Sequence, residues 1–146
     1  MKHQRSGGFL IAKIHQLSGR IFTKILKEHQ IEINPAQGRI MFALWKQDNI
    51  TIQELATKTS LSKSTLTPML DRLEKMDYIK RIPSKDDRRK ILIALTDKDK
   101  QLQEKYLQVS QEMNDIFYEG LSMEQIDYFE QTLQNLYENL LNFDKK

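Results

Sequence analysis

Apolar residues recur at steps of three and four along three long stretches of the chain, which predicts amphipathic helices. The first stretch runs from Leu10 to Ile25 and predicts a helix over about residues 9–29. The other two run from Leu102 to Ile116 and from Ile126 to Phe143, on either side of Gly120. Because glycine is a poor helix former, we expect two separate helices there.

Shorter helices are predicted in the middle of the chain from their start signals. The dipeptide Asn34-Pro35 gives an N-cap followed by a proline at the first helical position. Thr51-Ile52-Gln53-Glu54 has the form of a capping box, as does Ser122-Met123-Glu124-Gln125 at the last helix. Ser62 caps a further helix after a tight turn. The middle helices span about residues 35–46 and 52–58, and one more begins at residue 62.

The pattern changes after this helix to short runs rich in β-branched residues. Residues 78–82 and 91–95 are such runs, and the segment 83–90 between them is polar and charged. This arrangement predicts a β-hairpin with a basic tip. The fold class is therefore mainly α with a small β-hairpin wing: a winged helix-turn-helix flanked by N- and C-terminal helices.

Composition excludes several classes of protein. The chain has 146 residues, 39% of them hydrophobic, and no cysteine. Disulfide scaffolds, thiolate zinc sites and thiol switches are thereby ruled out. No apolar run approaches the ~20 residues of a membrane-spanning helix, and Met1 to Gly8 is polar, without a signal-peptide core. We expect a cytoplasmic protein without a membrane partner.

The formal net charge of +3 conceals an uneven distribution. Residues 58–90 contain 10 basic and 5 acidic side chains, whereas residues 91–146 contain 5 basic and 11 acidic ones. A basic middle beside an acidic end favours a surface that meets a polyanion, with nucleic acid as the first candidate. A solvated charged face is the alternative explanation.

The predicted helix-turn-helix indicates how that basic segment could bind nucleic acid. Its second helix can enter the major groove, where short polar or basic side chains at the N-terminal end meet base edges and later basic residues meet phosphates. An ordinary amphipathic surface helix is the alternative. The candidate DNA-binding residues of this recognition helix are Ser62, Lys63, Ser64, Thr65, Thr67, Arg72 and Lys75.

The predicted wing follows in the order that suits DNA binding. An arginine at its tip could enter the narrow minor groove, where the negative potential is enhanced. Asp87 and Arg89 are two positions apart, so on extended backbone the carboxylate can orient the guanidinium. The alternative is a solvated loop with a weak surface ion pair. The candidate wing residues are Lys85, Asp87, Arg88, Arg89 and Lys90.

Two of these motifs carry a resemblance to a known family. The runs Leu61-Ser62-Lys63-Ser64-Thr65-Leu66-Thr67-Pro68-Met69-Leu70-Asp71-Arg72-Leu73-Glu74 and Asp86-Asp87-Arg88-Arg89-Lys90-Ile91-Leu92-Ile93-Ala94-Leu95-Thr96 resemble the MarR family of winged helix-turn-helix regulators. The resemblance extends over about residues 9–143. It implies a transcriptional regulator, with Arg89 in the minor groove, that binds pseudo-palindromic DNA as a homodimer.

The recognition helix resembles one branch of that family in particular. Its Leu-Thr-Pro-Met-Leu run, with Pro68 in the helix interior, is similar to the organic-hydroperoxide-sensing branch (OhrR). That branch senses oxidant through a cysteine on its first helix, and this chain has none. The peroxide-sensing chemistry therefore does not carry over.

The two terminal apolar stripes independently favour a dimer. A lobe of ~90 residues could not bury the stripes at 10–26 and 126–143, whereas pairing across a two-fold axis would bury both. Packing of these helices within one chain is the alternative. One compact protomer would then comprise an N-terminal dimerisation helix (1–33), a DNA-binding lobe (34–96) and C-terminal dimerisation helices (97–146).

The resemblance also implies that a small, often aromatic, compound could release the DNA. The candidate effector-pocket residues each have an alternative role in the core or on the surface: His15, Arg20, Met41, Trp45 and Tyr106. No resident cofactor is expected. His3, His15 and His29 lack metal-ligand spacing, although a site shared across a dimer stays open.

An enzyme is not expected, since there is no Gly-rich phosphate loop, cysteine nucleophile or recognisable His–carboxylate pair. The remaining alternative to a regulator is a winged-helix interaction scaffold that does not bind DNA. Whether a regulator of this kind would repress or activate does not follow from the residues; repression is our expectation.

Overall fold

The computed structural model of the protein describes residues 4–146, so His3 lies outside the described part. It is mainly helical with one small antiparallel sheet, which confirms the predicted fold class. The elements, in chain order, are α1 Gly7–Glu28, α2 Pro35–Lys46, β1 Ile50–Thr51, α3 Ile52–Thr59, α4 Lys63–Lys75, β2 Ile79–Pro83, β3 Ile91–Leu95, α5 Asp99–Phe117 and α6 Met123–Asp144.

The chain divides into two compact units, one ending at Gln111 and one beginning at Glu112. The first unit contains everything from α1 through most of α5, including the helix-turn-helix and the sheet. The second unit contains the end of α5 and all of α6.

The capping signals form the hydrogen bonds that the sequence predicts. The Asn34 side chain accepts from the backbone N–H of Gln37 at 2.8 Å, and the Gln37 side chain accepts in return from the N–H of Asn34 at 2.9 Å. Thr51 and Ser122 open α3 and α6 with capping boxes of the same reciprocal kind. These bonds satisfy N–H groups that every helix start leaves without an internal partner.

The predicted two-stranded hairpin is incomplete, because the sheet has three strands in the order β1-β3-β2. Ile50 pairs with Ile93 and Thr51 with Leu92, so β1 extends the sheet on the far side of β3. At two residues, β1 is too short to show an alternating pattern. Its second residue, Thr51, is also the N-cap of α3, so the sequence there predicts a helix start and not a strand.

The core of the first unit lies beneath the helix-turn-helix. Leu55 of α3 and the apolar face of α4 are fully buried there, together with Ile79 and Ile93 of the sheet; the α4 residues are Leu66, Leu70 and Leu73. This burial leaves the polar face of α4 outward. Pro68 lies on that outer face and α4 continues through it to Lys75.

The terminal helices leave much of their apolar surface exposed. In α1, Ile25 and Leu26 are buried, whereas Phe9, Leu10, Ile14 and Leu17 are exposed. Helix α6, described over its whole length, contains no buried residue, although it carries Phe129, Leu133, Leu136, Leu140 and Phe143. Across residues 4–146, no helix combines the length and apolarity that crossing a membrane requires.

Candidate nucleic-acid interface

The turn between α3 and α4 depends on a left-handed backbone conformation that its sequence does not predict. Ser60 ends α3 in the left-handed conformation at φ 56°, and the N–H of Leu61 donates to the carbonyl of Ala56 at 3.2 Å. This closure resembles the usual left-handed helix ending, although serine replaces the common glycine. From α2, the guanidinium of Arg39 donates to the carbonyl of Thr59 at 3.3 Å. The turn is therefore fixed on two sides.

The hydroxyl groups at the start of α4 form a connected cluster. Ser62 accepts from the backbone N–H of Thr65 at 3.2 Å and donates to its Oγ1 at 2.9 Å. The Ser62 and Ser64 hydroxyls are 3.1 Å apart, and Thr67 donates to the carbonyl of Lys63 at 2.9 Å. Ser62 and Thr67 are thus engaged with the helix itself. Ser64 and Thr65 are exposed and retain the greater capacity for an outside partner.

The basic residues of α4 are all exposed. Lys63 lies in the first turn, where its ammonium is 3.5 Å from the side-chain oxygen of Gln53 on α3. Arg72 and Lys75 lie in the last turn, where positive charge also suits the helix dipole. These three cations lie at the two ends of the outward face of α4.

The wing loop is an ordered turn held by short polar contacts. The Oδ1 of Asp87 accepts from the backbone N–H of Arg89 at 3.0 Å and from its Nε at 3.3 Å. The carboxylate therefore orients both the backbone and the guanidinium of one residue. The Arg89 side chain is nevertheless 92% exposed. The other basic wing residues, Lys85, Arg88 and Lys90, are exposed as well.

An open cleft of about 750 Å³ lies between the wing, the start of α3 and the start of α4. Its walls carry the cations Lys63, Arg81, Arg89 and Lys90, and its lining includes Ile91, whose side chain is half exposed. Of the lining residues, the sequence predicts only Lys63, Arg89 and Lys90 as DNA-binding residues; Gln53 and Arg81 are among those it does not predict. Gln53 could have been found from its place in the capping box, at the helix start nearest the wing.

The sequence does not mark Arg81 as a functional residue, because the pattern around it predicts only a strand. Its guanidinium forms ion pairs with Glu74 at 2.7 Å and with Asp71 at 2.9 Å, both on α4. The signal for this contact was two acidic residues, three positions apart, in an otherwise basic helix that is followed by a basic strand residue. Such spacing places both carboxylates on one face of the helix.

The candidate effector residues occupy two different environments. His15 and Arg20 are exposed on α1, where they line an open groove of about 540 Å³ together with Pro35 at the start of α2. Met41 is fully buried in the core of the first unit. Trp45 and Tyr106 pack against each other with ring centroids 5.2 Å apart.

The Trp45–Tyr106 pair belongs to a packed aromatic cluster that joins α1, α2 and α5. Phe22 meets the Tyr106 ring edge-on at 5.7 Å, and burial raises the pKa of Tyr106 to about 12. The indole N–H of Trp45 donates to both carboxylate oxygens of Asp99 at 2.9 Å. Burial raises the pKa of Asp99, the indole contact lowers it, and the nearby Asp48 raises it further.

Residues 4–146 contain no group of three or more His, Asp or Glu side chains arranged to hold a metal ion. His15 is exposed on α1 and His29 follows its end. A metal site formed between two copies of the chain stays a separate hypothesis.

Comparison with known proteins identifies relatives that match the greater part of the chain. The sequence model of the MarR family matches residues 33–91, which contain the helix-turn-helix and most of the wing. The regulator SarZ of Staphylococcus saprophyticus is 30% identical, over 78% of this chain and 75% of its own length. The organic hydroperoxide resistance regulator of Bacillus subtilis is 33% identical, over 63% of this chain and 64% of its own length. For two further relatives, the stretch that aligns with this chain covers 44% and 80% of the relative's own length.

A solved structure extends the similarity to three dimensions. A single-residue mutant of MarR from E. coli, crystallised with operator DNA, superposes with a TM-score of 0.79 at 25% identity. The superposition covers 88% of this chain and 91% of the MarR chain. The likeness therefore extends beyond residues 33–91, the part that the family model matches.

Proposed function

This chain belongs to the MarR family of transcriptional regulators, and on that premise we propose that it is a cytoplasmic repressor that binds a pseudo-palindromic operator as a homodimer. Its relatives are regulators of transcription and not enzymes. The observation that carries the proposal is the pairing of an exposed polar helix start with an exposed, oriented arginine on the neighbouring wing. Ser64 and Thr65 supply the first, and Arg89 with Asp87 supplies the second.

The division of labour follows from the chemistry of DNA. Base edges in the major groove are read by short donors and acceptors, which Ser64 and Thr65 offer at the end of α4 that enters first. Phosphates and the narrow minor groove attract cations, which α4 and the wing supply. Besides Arg81, whose charge is paired with two acids of α4, the cleft between the wing and α3 is lined by three cations and one carboxylate, Glu54. The net charge of this lining is positive, as a phosphate strand requires.

The exposed apolar surface of the terminal helices supports a homodimer. Helix α6 has no buried residue along its described length, and the first half of α1 exposes phenylalanine, leucine and isoleucine side chains. Contiguous apolar surface of this kind is uncommon on monomers and is buried when two copies pair. Two-fold symmetry would repeat the recognition helix about one DNA turn away, ~34 Å.

We propose further that a small molecule releases the DNA, with His15 and Arg20 as the accessible candidates. They line the groove on α1, whereas Met41 and Tyr106 are buried, Trp45 is half buried, and none of these three lines that groove. The chain contains no cysteine, so a thiol is not the sensor.

The decisive experiment is the salt dependence of duplex binding. If Lys63, Arg72, Arg88 and Arg89 neutralise phosphates, the dissociation constant should rise steeply between about 50 and 200 mM salt. Arg89→Ala should reduce the slope of the log–log plot by about one, while Lys27→Ala, which removes an exposed charge from α1, should leave it unchanged. A flat response in the wild type would favour the scaffold that does not bind DNA.

A second experiment separates base reading from backbone contact. Ser64→Ala and Thr65→Ala should weaken binding to the operator more than binding to unrelated duplex, because the proposal assigns both side chains to base edges. Equal losses on every duplex would assign them to the backbone. Thr67→Val is the matched control, since the hydroxyl of Thr67 is already bonded to the carbonyl of Lys63.

A further inference from the structure

Arg81 connects the two elements that are proposed to meet DNA. It lies in the middle of the edge strand β2, where it pairs with Ile93 of the central strand β3, so its backbone belongs to the sheet that carries the wing loop. Its side chain reaches the recognition helix α4, where Nη1 donates to Glu74 at 2.7 Å and Nη2 donates to Asp71 at 2.9 Å. One guanidinium thus joins the sheet to α4.

The geometry of this contact resists displacement. The two acceptors are on different side chains of α4, and the planar guanidinium uses two of its nitrogens, one for each. The Arg81 side chain is 26% exposed, compared with 92% for Arg89. A change in the angle between wing and α4 would have to break at least one charge-assisted hydrogen bond.

The same contact makes Arg81 a poor phosphate ligand. Two carboxylates already surround its charge, whereas the phosphate-facing cations Lys63, Arg72 and Arg89 are exposed. A cation that neutralises Asp71 and Glu74 also prevents those acids from repelling DNA. Arg81 therefore acts on neighbouring groups rather than on the nucleic acid itself.

We propose that Arg81, Asp71 and Glu74 form a clamp that sets the spacing between recognition helix and wing, so that both reach their grooves at once. Arg81 is a positioning residue in this scheme, and the proposal rests on the DNA-binding function argued above. Without the clamp, α4 and the wing that carries Arg89 each still fold. They contact the same duplex at the same time less often, however.

The clamp and simple electrostatics predict opposite results for one variant. Asp71→Ala/Glu74→Ala removes two negative charges from the recognition helix and leaves every proposed DNA contact in place. Electrostatic attraction alone would then strengthen binding, whereas loss of the clamp should weaken operator binding about tenfold, as when one arginine contact is lost. Asp86→Ala is the matched control, because it removes an exposed acidic charge from the wing without touching the clamp and should strengthen binding slightly.

A double-mutant cycle identifies the route by which Arg81 acts. If Arg81→Met weakens binding through the placement of Arg89, it should cost little more in a chain that already carries Arg89→Ala. Fully additive losses would instead mean that Arg81 acts independently of Arg89, either by contacting DNA or by neutralising the two acids of α4, and would overturn the proposal. A lower melting temperature with unchanged operator affinity would reduce Arg81 to a structural role.

A measurement on the free protein keeps the test independent of DNA. The chain has no cysteine, so Lys75→Cys on α4 and Lys85→Cys on the wing can carry the only two spin labels in a protomer diluted with unlabelled protein. Arg81→Met should broaden the distribution of distances between them, and an unchanged distribution would refute the clamp. Failure of the wild type to bind any duplex would instead refute the proposed function.

Discussion

Gly38 of α2 lies where no larger residue fits, and this makes Gly38→Ala a test of the aromatic cluster. A Cβ atom built at Gly38 lies 2.8 Å from Cζ and 2.9 Å from Cε2 of Tyr106, and closer still to its hydroxyl oxygen. The ring has little room to retreat, since Phe22 packs edge-on at 5.7 Å and Trp45 at 5.2 Å.

Two opposing terms set the expected size of the effect. Overpacking a rigid core site costs about 1–3 kcal/mol, and contacts this close to a confined ring favour the upper part of that range. Replacing glycine by alanine in a helix returns about 1 kcal/mol. The net loss of about 1–2 kcal/mol should lower the melting temperature by about 3–6 °C for a chain of this length.

Two further variants make the assay specific. Gly19→Ala changes a glycine in α1 that has nothing within 4 Å of the new Cβ, so it should raise the melting temperature. Tyr106→Phe removes the atom nearest to that Cβ and should recover part of the Gly38→Ala loss. If Gly38→Ala proves as stable as the wild type in thermal melts at equal protein concentration, the close packing of Tyr106 on α2 is wrong.

Three further outcomes are expected. Arg89→Ala should shift the melting temperature by less than about 2 °C, because an exposed pair with Asp87 contributes little; a large fall would make Arg89 structural. Because burial raises the pKa of Asp99 above its usual value, the wild type should lose free energy of unfolding relative to Asp99→Asn as pH rises from about 4 through that raised pKa, and a pH-independent difference in urea titrations would contradict this. Leu136→Asp, in the exposed stripe of α6, should give monomers in sedimentation velocity, and a persistent dimer would exclude α6 from the interface.

The elements with local signals were predictable. The caps Asn34, Thr51, Ser62 and Ser122 each act within four residues of chain, so the sequence contains both donor and acceptor. The Asp87–Arg89 contact was predictable for the same reason, since the two residues are separated by a single position.

The features that escaped prediction depend on residues distant in sequence. Strand β1 exists because Ile50 pairs with Ile93, and nothing in the sequence around either residue predicts that they pair. Asp99 accepts from Trp45 across 54 positions, and Arg81 reaches Asp71 across 10. Such contacts arise only when the helices and sheet have packed, and periodicity reports the buried face of an element without naming its partner.

The central claim, a dimeric regulator that reads a two-fold symmetric site, is tested most directly by selecting fragments of the source genome that the purified protein retains. Footprints on the retained fragments should contain related half-sites whose centres lie about one helical turn apart, with two chains bound to each site. Retention of fragments with no shared sequence, or protection of a single half-site by one chain, would contradict the account.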